Sequence, residues 1–117
     1  MSKRQKYNAV KTSIDGHKFD SKAEAKRYTE LKLLERAGEI SNLELQPKYR
    51  CEISGKLICT VIPDFRYTDL RKLGPQGQVG CVVVEDKKSP ITRKNPVYRI
   101  KKKLLEALFP GVEIVEV

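Results

Sequence analysis

The sequence predicts a mixed α/β (α+β) domain, a small mixed sheet flanked by helices, and three observations carry that prediction. The chain has 117 residues, enough for one hydrophobic core and too few for a second. Two stretches with helix start and stop signals bracket a run of strand-like segments instead of alternating with them one by one. The second of these helices runs straight into VEIVEV, and a strand, helix, strand step of that kind closes as a right-handed crossover with a parallel pair.

Taken in order, residues 1–18 carry Lys3, Arg4, Lys6, Lys11 and Lys18 against Asp15 alone, with little apolar periodicity. They read as a basic N-terminal arm, leaving 19–117 as a single domain. The first helix opens at Asp20 or Ser21 and stops at Gly38, which takes the left-handed position after the C-cap. Strands are expected at about 48–53, 56–67 and 79–87. Ser54-Gly55 suits a two-residue hairpin, and the stretch from Leu73 to Gly77 suits a longer turn. Pro63 cannot donate to a ladder, so its strand has an edge or a bulge there, immediately beside Asp64. Asn95-Pro96 is an N-cap followed by Pro at the first helical position, and Pro110-Gly111 ends that helix.

Composition narrows the partner. There are 24 Lys and Arg against 15 Asp and Glu, a formal charge of +9, which points to an anionic partner, nucleic acid ahead of a membrane surface. No segment approaches the roughly 18 apolar residues of a membrane span, and the start of the chain lacks the apolar core of a signal peptide. The expectation is a cytoplasmic protein with no membrane association. Cys51, Cys59 and Cys81 lie in strand-like runs without metal-ligand spacing and read as small buried hydrophobes.

The chemistry concentrates where VVVEDKK brings charge to the end of an apolar strand. Side chains two apart on a strand share a face, so Glu85 and Lys87 project together and Asp86 points away. Asp64, on the preceding antiparallel strand, is expected within a few ångströms of Glu85. Two carboxylates in one pocket repel unless a cation lies between them. Oxygen-only ligands suit Mg²⁺ or Mn²⁺. Lys87 would then stabilise charge on an attacked phosphodiester. The plainer alternative is a set of solvated ion pairs at a strand end.

Pro63-Asp64 together with Glu85-Asp86-Lys87 resembles the signature of the PD-(D/E)XK nuclease superfamily. Nearly the whole chain, through KYNAVKTSIDGHKFDSKAEAKRYTELKLLERAGEISNLELQPKY, PDFRYTD, VVVEDKK and YRIKKKLL, is similar to a family of small phage and prophage proteins placed in that superfamily and often suggested to be junction-resolving nucleases. The resemblance implies a restriction-endonuclease-like αβββαβ core. It also implies a Mg²⁺- or Mn²⁺-dependent DNA endonuclease, Holliday-junction-resolvase-like, acting in phage recombination or replication in the cytoplasm of a bacterial host. Asp64 and Glu85 would be metal ligands and Lys87 the catalytic lysine, with Lys88 adjoining it. An acidic residue on the first helix is common in the superfamily, which nominates Glu24 as a further ligand or general base. On a helical wheel Glu24 falls within the apolar arc of Ala23, Tyr28, Leu31 and Leu34. The spacing from Ser21 also makes Glu24 the far end of a capping box, and both readings stand.

From Lys87 to Lys103 the chain carries eight basic residues, Lys87, Lys88, Arg93, Lys94, Arg99, Lys101, Lys102 and Lys103, and no acidic one. With Lys3, Arg4 and Lys6 of the arm, all but Lys87 and Lys101 are the candidates for DNA phosphate contact. Val97, Ile100, Leu104, Leu105 and Leu108 form the core stripe of the second helix, leaving Arg99, Lys102 and Lys103 outward. Lys101 falls within that stripe, and either snorkels past Leu105 or reaches the acidic pocket. Tyr98 packs on a sugar or fills the core, and His17 reads as a solvated loop residue. Double-stranded or branched DNA is the expected partner. Resolving a junction needs two cuts on opposed strands, which implies a homodimer, with VEIVEV as an edge strand able to pair with its symmetry mate. The competing reading is a non-catalytic nucleic-acid-binding module of the same fold, with Asp64 and Glu85 neutralised by lysines such as Lys87 and Lys101.

Overall fold

The computed structural model describes residues 12–19, 21–86 and 94–116. Lys3, Arg4 and Lys6 of the arm, and Lys87, Lys88 and Arg93 after the charged strand, lie outside the described residues. The elements are β1 (Thr12–Ile14), β2 (His17–Phe19), α1 (Lys22–Arg36), β3 (Ile40–Leu45), β4 (Tyr49–Ile53), β5 (Lys56–Val61), β6 (Phe65–Leu73), β7 (Val79–Asp86), α2 (Pro96–Leu108) and β8 (Val112–Glu116).

A four-stranded sheet of order β3-β6-β7-β8 forms the centre, antiparallel except for the parallel pair β7 and β8. The mixed α/β architecture follows the sequence expectation; along the chain α1 is followed by β3, the separate β4–β5 hairpin, β6 and β7, and then by α2 and the parallel strand β8. α1 begins at N-cap Ser21, whose Oγ accepts from the Glu24 N–H, and ends at Ala37. Gly38 follows at φ +77, a conformation that costs a side-chain-bearing residue. Asn95 caps α2 and accepts from the Val97 and Tyr98 N–H groups.

Each face of the sheet has its own cover. Phe65, Tyr67 and Val83 join Ala25, Tyr28 and Leu31 of α1, Phe19 of β2 and Ile40 of β3 in one cluster. On the opposite face Val84 packs with Tyr49 of β4 and Leu105 of α2. Alternation along β7 therefore sends Val83 and Glu85 toward α1, and Val84 and Asp86 toward α2. That parity positions everything that follows.

Several expectations are corrected. The arm does not extend to residue 18: 12–19 form a hairpin whose Phe19 is buried, and His17, exposed as expected, lies on a strand and not in a loop, its ring edge-on to Tyr28 at 5.7 Å. Residues 56–67 are two strands. β5 pairs with β4 in a separate hairpin, and the chain changes sheet at 62–64 before β6. The first strand of the central sheet is β3, which the sequence reading left out. Ala23 is exposed, and Ala25 occupies the core position on α1. On α2 the apolar stripe is buried at Leu105 and half-buried at Leu104 and Leu108, while Val97 and Ile100 are exposed. Cys51 is buried, whereas Cys59 and Cys81 are half-buried.

Candidate functional site

Asp64 reaches the end of β7 through the backbone. Register pairs Phe65 with Glu85, and the Asp64 N–H donates to the Glu85 carbonyl at 3.0 Å. The Asp64 carbonyl in turn accepts from the Gln46 N–H at 2.9 Å, with Gln46 in the left-handed region at φ +48. Gln46, whose role the sequence leaves unexplained, thus ties the exit of β3 to the Pro63-Asp64 break. Asp64 and Asp86 flank the same rung at one end of the ladder.

Glu85 lies 1% exposed under α1. Arg27 donates to both of its carboxylate oxygens, Nε to Oε1 at 2.8 Å and Nη2 to Oε2 at 2.6 Å. The Tyr67 hydroxyl donates to Oε2 at 2.6 Å. Tyr67 stands diagonally from Glu85 on β6, two residues from its direct partner Phe65. The bonds to Glu85 hold the guanidinium firmly charged, raising its pKa against the effect of burial. Burial first, and then the Glu85 carboxylate, push the Tyr67 phenol well above its ordinary value. A buried carboxylate is stable only when its charge is compensated, and here the protein supplies the compensation.

Asp86, 7% exposed, faces the other way. It lines a groove of about 510 Å³ between the Thr60–Pro63 segment and α2. Lys101 and Leu105 line the same groove.

A divalent cation can be tested against these side chains. Of the predicted set of Glu24, Asp64 and Glu85, Glu85 holds a guanidinium and a phenol on its oxygens. Among the described residues no group of three or more His, Cys, Asp or Glu side chains forms a cage. Asp64 and Asp86 bring carboxylates to one end of neighbouring strands, and hard oxygen donors are the ligand chemistry that Mg²⁺ or Mn²⁺ takes. Glu24 is half-buried, and its backbone takes part in the cap at Ser21.

Of the basic candidates, Lys94, Arg99 and Lys103 are exposed. Lys102 is drawn back, its Nζ 3.6 Å from Glu116, and the Tyr98 hydroxyl donates to the same carboxylate. Arg27, Tyr67 and Asp86 were not singled out in the sequence as members of the site. The only available signal was parity, which separates Asp86 from Glu85.

The family model described as "Protein of unknown function (DUF1064)" matches residues 4–116, and the chain belongs to that family. Comparison with curated proteins and with solved structures found no match.

Proposed function

We propose that this family member is a Mg²⁺-dependent DNA endonuclease whose working acids are Asp64 and Asp86. One observation carries the reading: Asp64, at the Pro63 break, and Asp86, at the end of β7, meet at one end of the ladder beside a groove that also holds Lys101. A cation held by Asp64 and Asp86 would supply charge at a phosphodiester and lower the pKa of a water bound to it. The remaining roles belong to the chain. Val84 and Leu105 pack beneath the end of β7 and hold Asp86 in place. Lys101, which lines that groove, would bind a phosphate oxygen and offset developing charge. Glu85, Arg27 and Tyr67 form the rigid support under the strand end. Lys88 follows Asp86 in sequence by the same interval as Lys87 follows Glu85, so the (D/E)-x-K spacing around Asp86 selects Lys88.

Asp64→Asn or Asp86→Asn should lower cleavage of plasmid or branched DNA in Mg²⁺ by about two orders of magnitude or more, with DNA binding retained. Undiminished cleavage by both variants, prepared free of host nuclease, would remove the assignment. The second reading, a binding module without catalysis, is favoured by the Arg27–Glu85 pair, which neutralises one acid of the motif within the protein itself. Binding of DNA without cleavage in Mg²⁺ or Mn²⁺ is its signature.

A further inference from the structure

We propose that the groove between Pro63 and α2 seats one unpaired nucleotide of the DNA strand, adjacent to the phosphate that approaches Asp86. The identity of the polymer rests on the nuclease reading, and the groove itself carries the rest. Its volume of about 510 Å³ falls within the 300–1,000 Å³ usual for small-molecule sites. Its walls join three kinds of surface that a single nucleotide presents together. Ile62 and Val97 offer apolar surface for the face of a base. Tyr98, its hydroxyl anchored on Glu116, offers a fixed aromatic ring. Lys101 offers a cation for a phosphate, and it makes no ion pair with another described residue.

Exposure supports an occupant. Ile62 and Val97 line the groove yet remain 49% and 60% exposed, apolar surface that a base would remove from water. A continuous duplex cannot use the groove, because its base faces are stacked on one another and it offers only edges and backbone. An unpaired nucleotide has both faces available and is read by stacking against apolar and aromatic side chains. The substrate class that follows is DNA with an unpaired nucleotide beside the cut, as at a gap or a single-stranded flap.

The test is made in EDTA, where binding is read without cleavage. Two DNAs of equal length are compared by fluorescence anisotropy: a continuous duplex, and the same duplex with a short single-stranded gap containing 2-aminopurine. The gapped DNA should bind about tenfold more tightly, the scale of one stacked base, and its 2-aminopurine emission should change on binding. Val97→Ser and Ile62→Ser trim the apolar wall at exposed positions without changing the charge that the duplex backbone meets. Each should abolish the preference and the emission change while leaving duplex binding within about twofold. Equal affinity for the two DNAs, or a preference that survives both variants, would overturn the groove. Cleavage in Mg²⁺ is scored separately. Cleavage without the gap preference overturns the groove alone, whereas the preference without cleavage of any substrate upholds the groove and removes the nuclease.

Discussion

At Glu85 a carboxylate that is 1% exposed receives two N–H donors from Arg27 and one O–H from Tyr67. Removing one partner of such a pair leaves an uncompensated buried charge, which costs about 3–5 kcal/mol in full burial. The Arg27 side chain is 31% exposed, so Arg27→Met should lower stability by a smaller amount, about 2–3 kcal/mol, in urea denaturation. Adding Glu85→Gln should restore part of that loss. Additive losses would show the pair is not coupled. A second buried acid gives a pH dependence. Asp69 accepts from the Arg71 N–H and guanidinium, and Arg71 holds its carboxyl below the ordinary value. Because the folded pKa is depressed, the stabilisation is complete above the unfolded pKa near about 4 and fades as pH falls through the folded value. The stability gap between wild type and Asp69→Asn should therefore be widest at neutral pH and close in acid. A gap unchanged down to pH 2 would contradict it. Strand parity in the sequence separates Glu85 from Asp86, but it does not say which face is the working one. That depends on Arg27, 58 residues away, and no local pattern encodes such a partner.

Caps and turns are written in adjacent residues, which is why both helix starts and the Ser54-Gly55 turn were legible. Ser54 and Gly55 stand at φ +52 and +79, the pair of left-handed conformations a two-residue hairpin requires. Asn95 gives the corresponding prediction for α2. Its Oδ1 accepts from Val97 at 2.8 Å and Tyr98 at 3.3 Å, so Asn95→Ala should cost about 1 kcal/mol, read as a lowered urea midpoint with an unchanged slope. No loss of stability would show that Pro96 suffices to start the helix. β3 was hidden for a different reason. It is an edge strand with a register shift between Ser41 and Glu44 and with Asn42 at φ +56, so Ile40, Leu43 and Leu45 do not keep the alternation of two. The β5–β6 division was hidden because LICTVIPDFRY has continuous strand character, and only Pro63 marks the point where the chain leaves one sheet for another.

Over the whole molecule the formal charge of +9 meets a specific distribution on α2. Arg99 and Lys103 are exposed, while Lys102 is 3.6 Å from Glu116 and its side chain is 30% exposed. The sequence shows a run of cations, and it does not show that Glu116, on β8, comes back to claim one of them. Each phosphate contact made by a cation releases counterions, so the log of affinity falls with the log of salt by about 0.9 per contact on duplex DNA. If the outer face of α2 lies on the backbone, Arg99→Gln with Lys103→Gln should flatten that slope by about 1.8. Lys102→Gln alone should flatten it by less than either single change, because its charge is already shared with Glu116. Duplex binding measured by anisotropy from low to physiological salt in EDTA reads these slopes directly, apart from any cleavage. A slope unaltered by the double change would place the phosphates elsewhere. A Lys102→Gln effect equal to that of Lys103→Gln would show that DNA pulls Lys102 away from Glu116 and makes the whole α2 run one binding surface.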